Sequence, residues 1–132
     1  MEPVIGENMD ILVVDDSRAT RESLIALLQE RSADTTVREA ASAQQAITRL
    51  SEAPPDVIVL DIQMDGPKGF SVLEAAKRMG ATAPVVIVFT SHTTERYRKH
   101  VERLGADYFF DKATGVRGLM EAIDAVANGT NR

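Results

Sequence analysis

The sequence predicts an α/β domain in which a doubly wound, five-stranded parallel sheet is covered by five helices. Apolar runs alternate with segments in which apolar residues recur at helical spacing, and no repeat or long linker interrupts them. Several runs are continuous in Val, Ile and Leu, as strands covered on both faces require. Right-handed crossovers then favour the strand order 2-1-3-4-5, with the topological switch between strands 1 and 3.

Five strands are predicted between the five helical segments. They lie at residues 10–14, 35–40, 56–60, 84–89 and 106–110. The apolar positions that define the helices in order are Leu24, Leu27 and Leu28; Ala43, Ala46, Ile47 and Leu50; Val72, Leu73 and Ala76; Tyr97, Val101 and Leu104; and Leu119, Met120, Ile123 and Val126.

The helix ends carry matching residues. Ser42 and Gln45 form a predicted capping box at the start of helix 2, and Pro67 suits the first turn of helix 3. Left-handed C-caps are predicted at Gly80, Gly105 and Gly129.

Length and composition restrict the class of protein. The 132 residues suit one domain at 9–128, with a flexible N-terminal extension at 1–8 and a tail at 129–132. Cysteine is absent, the apolar runs are too short for a membrane span, and the N-terminus lacks the features of a signal peptide. A net charge of −5 argues against nucleic-acid binding. We therefore expect a soluble, cytoplasmic protein without a nucleic-acid or membrane partner.

Polar residues stand at the ends of four predicted strands. Asp15 and Asp16 follow strand 1, Asp61 follows strand 3, Thr90 follows strand 4 and Lys112 follows strand 5. Because parallel strands end at one edge of the sheet, these side chains should meet where open α/β folds bind ligands.

Three carboxylates in one crevice repel one another, and their oxygen atoms suit Mg²⁺. An aspartate such as Asp61 can also attack phosphorus as a nucleophile when a metal and cationic donors stabilise the transferring oxygens. Thr90 could then donate a hydroxyl, and Lys112 could supply an ammonium group.

The stretches "VVDDS", "VLDIQM", "VFTSH" and "FFDK", in this order and at these intervals, resemble the receiver domain of bacterial two-component response regulators. The resemblance covers roughly residues 9–127 and implies a flavodoxin-like fold. It implies that Asp61 accepts a phosphoryl group from a phosphohistidine on a sensor histidine kinase or a histidine phosphotransfer protein. The domain would lose that group slowly by its own hydrolysis, as a signalling protein and not a metabolic enzyme.

The resemblance also assigns the surrounding residues. Asp16, Asp61 and the main-chain carbonyl of Gln63 would bind Mg²⁺, and Asp15 would assist through a water. Lys112 would pair with Asp61 and then with the phosphoryl oxygens.

The same resemblance implies that Thr90 and Phe109 are the switch residues. Movement of Thr90 and Phe109 would change the surface of helix 4, strand 5 and helix 5, which would bind an unknown protein target. The domain would act as a monomer or as a phosphorylation-dependent dimer. Gln63 and His92 flank the phosphoryl group in such domains, and we expect them to tune its lifetime.

Two departures from the family pattern concern loops. Ala113 follows Lys112 where proline in a cis peptide is usual; a cis bond before a non-proline residue costs about 2.5–4 kcal/mol, so a trans bond and a rearranged loop are predicted. Asp65 replaces the usual proline four residues after Asp61, with Pro67 two residues later. Gly69 matches the family's glycine.

Several residues have simpler interpretations. Lys112 could be a solvated strand end, and Phe109 could be a core side chain. The basic side of helix 4 could be a solvated face or a docking surface for an acidic partner; it comprises Arg96, Lys99, His100 and Arg103.

Two other functions are considered. A phosphatase of the haloacid dehalogenase type would need a second aspartate where Gln63 stands. A degenerate receiver acting as a phosphorylation-independent adaptor would be favoured by loss of the acidic residues, all of which are present. As a stand-alone receiver, the domain would be a phosphorelay intermediate, a phosphate sink or a regulator of a partner.

Overall fold

The computed structural model of the protein describes residues 9–64 and 68–129. The strands are β1 (Asp10–Val14), β2 (Thr36–Ala40), β3 (Val57–Leu60), β4 (Val85–Thr90) and β5 (Tyr108–Asp111). The helices are α1 (Arg18–Arg31), α2 (Ala43–Glu52), α3 (Gly69–Lys77), α4 (Glu95–Arg103) and α5 (Val116–Ala127). A short 3₁₀ turn, Gly80–Thr82, precedes β4.

The five strands form one parallel sheet in the order β2-β1-β3-β4-β5, which confirms the predicted fold. Side chains of β1 alternate between its two faces. Leu12 and Val14 pack with α2, α3 and α4, whereas Ile11 and Val13 pack with α1 and α5. Burial on both faces explains the continuous apolar runs of the central strands.

β1 has the predicted bounds, β2 and β3 each begin one residue later than predicted, and β4 and β5 differ by one or two residues at their ends. β4 begins at Val85, since Pro84 has no N–H to donate to the sheet, and it ends at Thr90, one residue later than predicted. β5 begins at Tyr108 because the N–H of Ala106 still bonds back to Val101 in α4, at 3.1 Å.

Helix caps largely match the expectation. The Ser42 hydroxyl accepts from the Gln45 N–H at 3.1 Å, but the Gln45 side chain accepts from Ala41 and so closes the box one residue earlier. Gly105 and Gly129 have the predicted positive φ of 104° and 73°. Gly80 has φ 65° but stands two residues after the α3 cap, Arg78, and starts the 3₁₀ turn.

The Lys112–Ala113 bond is trans, as predicted, since no peptide bond of the described ranges is cis. The predictions for the 1–8 extension, for Asp65 and Pro67, and for tail residues 130–132 lie outside the described residues. No helix in the described part of the chain has the length and hydropathy needed to cross a membrane.

Candidate phosphoryl-transfer site

Two aspartates are fixed at the carboxyl edge by the sheet itself. The N–H of Asp15 donates to the carbonyl of Ala40 at 3.1 Å, and the N–H of Asp61 donates to that of Val14 at 2.9 Å. Each bond extends a parallel ladder by one step beyond its last paired residue. Asp15 and Asp61 therefore stand side by side, although 46 residues separate them in the chain.

Lys112 reaches both carboxylates from the end of β5. Its Nζ lies 2.7 Å from Asp15 Oδ2 and 2.8 Å from Asp61 Oδ2. The side chains of Asp15 and Asp61 are only 3% and 8% exposed, so the ammonium is their immediate counterion. The interpretation of Lys112 as a solvated strand end is therefore wrong.

The other oxygen of each carboxylate is held by the main chain. Asp15 Oδ1 accepts from the Ser17 N–H at 2.8 Å, and Asp61 Oδ1 accepts from the Gln63 N–H at 2.9 Å. Both side chains thus have two partners and a defined orientation, which is the preorganisation a reacting carboxylate needs.

Asp16 completes an acidic cluster. One oxygen of each of Asp15, Asp16 and Asp61 lies within 4.8 Å of the others, and Asp16 is exposed whereas the other two are buried. The donors are all carboxylate oxygens, the set that suits Mg²⁺. The cluster opens to solvent on the Asp16 side.

The electrostatics of the cluster follow from three carboxylates sharing one ammonium. Burial raises the pKa of the Asp15 carboxyl, against the opposing effects of hydrogen bonds from Lys112 and Ser17. Burial lowers the pKa of the Lys112 ammonium, but its hydrogen bonds to Asp15 and Asp61 outweigh that effect and the net direction is upward. The site therefore favours the charged form of the Lys112 ammonium and disfavours the charged form of the Asp15 carboxyl.

A contact at α3 fixes the backbone that follows Asp61. A Cβ added to Gly69 would lie 2.6 Å from the carbonyl carbon of Ile62 and 2.8 Å from its Cα. Only glycine allows α3 to begin this close to Ile62. The close approach of α3 to Ile62 thus explains why glycine stands at position 69.

Thr90 connects the edge of the sheet to the loop before α4. It is fully buried; its carbonyl accepts from the Lys112 N–H at 3.0 Å, and its hydroxyl accepts from the His92 N–H at 3.1 Å. The His92 ring is 5.2 Å from the ring of Tyr97 on α4. Burial, and secondarily the charge of Asp61, raise the pKa of Tyr97 to about 12.

Phe109 lies beneath α4. It is 8% exposed, belongs to the core on the α2–α4 side of the sheet, and has the guanidinium of Arg98 4.5 Å from its ring centroid. The core interpretation is therefore correct for this conformation; the switch role stays a prediction.

Asp111 organises the turn behind Lys112. Its Oδ1 accepts from the Ala113 N–H and its carbonyl accepts from the Gly115 N–H, both at 2.7 Å. Sequence reasoning missed this role, although an Asp two residues before a free N–H is a recognisable turn signal. It also missed Tyr97 and Arg98, whose contacts depend on how α4 is rotated.

The structure brings together Asp15, Asp16, Asp61 and Lys112, and it joins Thr90 to Lys112 through the main chain. Gln63 and His92 are exposed, and their N–H groups bond to Asp61 and Thr90 respectively. Their effect on phosphoryl lifetime stays a prediction.

Comparison with protein families gives one match over most of the chain. The family model described as "Response regulator receiver domain" matches residues 11–124. That range contains every residue of the cluster.

Curated relatives are similar over most of this chain. "DNA-binding transcriptional activator EvgA" of Escherichia coli is 25% identical over 121 residues, which are 92% of this chain and 58% of EvgA. "Nitrate/nitrite response regulator protein NarP" of Escherichia coli is 32% identical over 120 residues, 91% of this chain and 55% of NarP. The chain thus spans little more than half the length of these relatives.

Solved structures show the same architecture. The signal receiver domain of a DNA-binding response regulator from Colwellia psychrerythraea is 28% identical with a TM-score of 0.82, covering 89% of this chain and 97% of that one. A LuxR-family two-component response regulator from Aurantimonas is 29% identical with a TM-score of 0.79, covering 91% and 85%.

Proposed function

This chain belongs to the response regulator receiver domain family, and on that premise we propose that it is a phosphoryl-accepting signalling domain with Asp61 as the acceptor. One observation carries the proposal: a buried Asp61 carboxylate lies 2.8 Å from Lys112 Nζ, which also contacts Asp15 at 2.7 Å. This arrangement supports the proposal, because a carboxylate held in one orientation beside a cation is suited to act as a nucleophile while the cation stabilises the developing charge.

In the proposed reaction an Asp61 oxygen attacks the phosphorus of a phosphohistidine on a sensor histidine kinase or a histidine phosphotransfer protein. The P–O bond to Asp61 forms as the P–N bond breaks, and the imidazole nitrogen keeps the electron pair of that bond. Lys112 then pairs with a phosphoryl oxygen, and the Thr90 hydroxyl turns to donate to another. Water later attacks the phosphorus, the P–O bond to Asp61 breaks, and inorganic phosphate leaves as the Asp61 carboxylate is restored.

The acidic cluster suits Mg²⁺ in donor type and spacing. Asp16 and Asp61, with the main-chain carbonyl of Gln63, would hold it, and Asp15 would contribute through a water. When bound, Mg²⁺ supplies positive charge for the transferring phosphoryl oxygens. Lys112 orients Asp61 through its 2.8 Å contact with Oδ2.

The output of the switch is proposed to leave through α4, β5 and α5. Thr90 is joined to α4 through His92 and Tyr97, and Phe109 underlies α4 beside Arg98. A change at Thr90 would move these side chains and alter the surface for a protein target. Gln63, whose N–H bonds to Asp61, and His92, whose N–H bonds to Thr90, are both exposed and would control the access of water to the acyl phosphate.

The cellular setting is proposed from the family and from charge. The domain would act in the cytoplasm, as a monomer or a phosphorylation-dependent dimer. A net charge of −5 supports a protein target and not nucleic acid for this domain, although relatives such as EvgA are described as DNA-binding.

Intact mass after incubation with acetyl phosphate and Mg²⁺ tests the acceptor. We expect one added phosphoryl group on the parent and none on Asp61→Asn. Asp34→Asn, an exposed aspartate in the turn before β2, is the matched control and should label like the parent. Equal labelling of the parent and Asp61→Asn, or labelling of neither, contradicts the assignment.

A further inference from the structure

The outer side of α4 is a cationic surface, defined here as Arg96, Lys99, His100 and Arg103, all exposed. Eight Lys and Arg side chains of the described chain lie within 4.0 Å of an acidic side chain. Within those same ranges Arg96, Lys99 and Arg103 have no such partner. The chain has five excess negative charges, yet three cations of one helix have no acidic partner in the part of the chain that the structure describes.

The acidic residues of α4 do not neutralise this surface. At 100° per residue, Glu95 and Glu102 lie about a quarter turn away from the centre of the basic side. They are exposed and have no ion pair among the described residues. Glu95 and Glu102 border the surface next to Lys99, from which they are four and three residues away, whereas Arg96, His100 and Arg103 lie further from them around the helix.

The cationic surface also has a shaped groove. Thr94, Arg96, Tyr97, His100 and Arg103 line a groove of about 340 Å³. Beside it, the ring of Phe70 from α3 lies 4.8 Å from that of His100 and 5.8 Å from that of Tyr97. Aromatic rings next to unpaired cations suit a ligand that carries both carboxylates and an apolar side chain.

We propose that the cationic surface of α4 binds an acidic segment of a protein partner, with carboxylates on Arg96, Lys99 and Arg103 and an apolar side chain in the groove. From Arg96 to Arg103 the helix rises about 10 Å. That length suits three or four residues of an extended peptide. The cationic surface of α4 has too few cations to bind a polyanion, and the acidic remainder of the domain would repel one.

Binding of a synthetic probe to the unphosphorylated chain tests this surface independently of phosphoryl transfer. The probe is a fluorescein-labelled peptide of glutamates around a central phenylalanine, and its control has glutamine in place of each glutamate. Fluorescence polarisation is measured with the parent, with Arg96→Gln/Arg103→Gln, and with Arg18→Gln/Arg78→Gln, which removes equal charge from exposed sites elsewhere.

We expect the α4 pair to weaken binding by about fivefold and the control pair by less than about twofold, because single exposed ion pairs contribute little. Binding should fall with salt and with the glutamine peptide. Equal losses for the two variant pairs, or tighter binding of a short RNA or of vesicles containing phosphatidylserine, would overturn the proposal.

A separate observation concerns the turn that follows β5. The Asp111 carboxylate bonds the Ala113 N–H at 2.7 Å, directly across the backbone of Lys112. The turn is also sterically closed, since a Cβ on Gly115 would lie 2.6 Å from the Asp111 carbonyl oxygen. The Lys112 main chain is thus held on one side by its own N–H bond to the Thr90 carbonyl at 3.0 Å, and on the other by the Asp111 bond to Ala113.

We infer that Asp111 is a positioning residue for the phosphoryl transfer proposed above: it holds the Lys112 backbone so that Nζ meets Asp61. The carboxylate acts as a hydrogen-bond acceptor in this role, and a neutral amide oxygen would serve equally. This inference rests on the proposed function.

The test compares Asp111→Ala with Asp111→Asn in labelling by acetyl phosphate and Mg²⁺, followed by intact mass at several acetyl phosphate concentrations. Misplacement of a reacting group by about 1 Å can lower a rate about a hundredfold, so a smaller displacement should have a smaller effect. We expect Asp111→Ala to lower the saturating rate about tenfold with little change in the half-saturating concentration, and Asp111→Asn to stay within about twofold of the parent. A parent-like Asp111→Ala, or an Asp111→Asn as slow as Asp111→Ala, would refute the inference, whereas labelling of Asp61→Asn would refute the proposed function instead.

Discussion

Replacing Lys112 with glutamine removes the only ammonium within salt-bridge distance of two buried carboxylates in the described structure. Lys112 is 19% exposed and its partners Asp15 and Asp61 are 3% and 8% exposed. Breaking a fully buried ion pair costs about 3–5 kcal/mol, and partial exposure favours the lower end. Protonation sets an upper limit on this loss, because an aspartate left without its counterion can bind a proton. At about 3 pH units above the ordinary pKa of aspartate, that protonation costs about 4 kcal/mol. We therefore expect a loss of about 3 kcal/mol at pH 7.

The assay is urea unfolding followed by circular dichroism, with EDTA present so that no divalent cation replaces the ammonium. At a typical slope of about 2 kcal/mol/M, the loss corresponds to a midpoint about 1.5 M lower. Lys99→Gln is the matched control, since Lys99 is exposed and has no acidic partner within the described ranges. Its expected effect is below about 0.5 kcal/mol.

The pH dependence of the loss gives a second readout. A carboxyl whose pKa is raised in the folded state contributes stability below its ordinary pKa and loses that contribution as pH rises through the raised value. Burial already raises the pKa of Asp15, and removal of Lys112 takes away effects that oppose the rise. The deficit of Lys112→Gln should therefore shrink between pH 7 and pH 4. A deficit that is independent of pH, or equal to that of Lys99→Gln, would refute the reasoning.

Three further changes have defined outcomes. Mg²⁺ at ten times its dissociation constant should stabilise the parent by about 1.4 kcal/mol in thermal unfolding, and Asp16→Asn should lose most of this gain. Gly69→Ala should lower the unfolding free energy in urea by about 1–3 kcal/mol, because its Cβ would lie 2.6 Å from a backbone carbon of Ile62. In a Tyr108→Phe background, absorbance should show Tyr97 ionising near pH 12, and stability should fall as pH rises from about 10 through that value. Asp61→Asn should lower the pKa of Tyr97. An unchanged pKa in that variant would exclude the contribution of the Asp61 charge.

Backbone constraints made much of the fold predictable from sequence. Continuous apolar runs mark strands buried on both faces, and the right-handed crossover leaves few strand orders. Errors occurred where a hydrogen bond, and not hydrophobicity, sets a boundary. Ala106 is apolar but bonds back to α4, and Thr90 is polar but pairs with Asp111 as the last residue of β4.

The acidic cluster was predictable for a related reason. Asp15, Asp61 and Lys112 directly follow strands, so the parallel register alone carries their Cα atoms to one edge of the sheet. Contacts of α4 were not predictable in this way, because they depend on the rotation of the helix and on side-chain rotamers. The approach of Arg98 to Phe109 and of His92 to Tyr97 belongs to this second class.

The charge of the cluster couples metal binding, phosphorylation and stability. The cluster contains three carboxylates and one ammonium, so it has excess negative charge before any reaction. A phosphoryl group on Asp61 would replace one negative charge with about two at neutral pH. The product would therefore be more repulsive than the starting cluster unless a divalent cation is present. Since Lys112 is already shared between Asp15 and Asp61, it cannot neutralise the added charge alone. Labelling by acetyl phosphate should accordingly depend on Mg²⁺ more steeply than stability does, because the metal offsets a larger repulsion after transfer than before it.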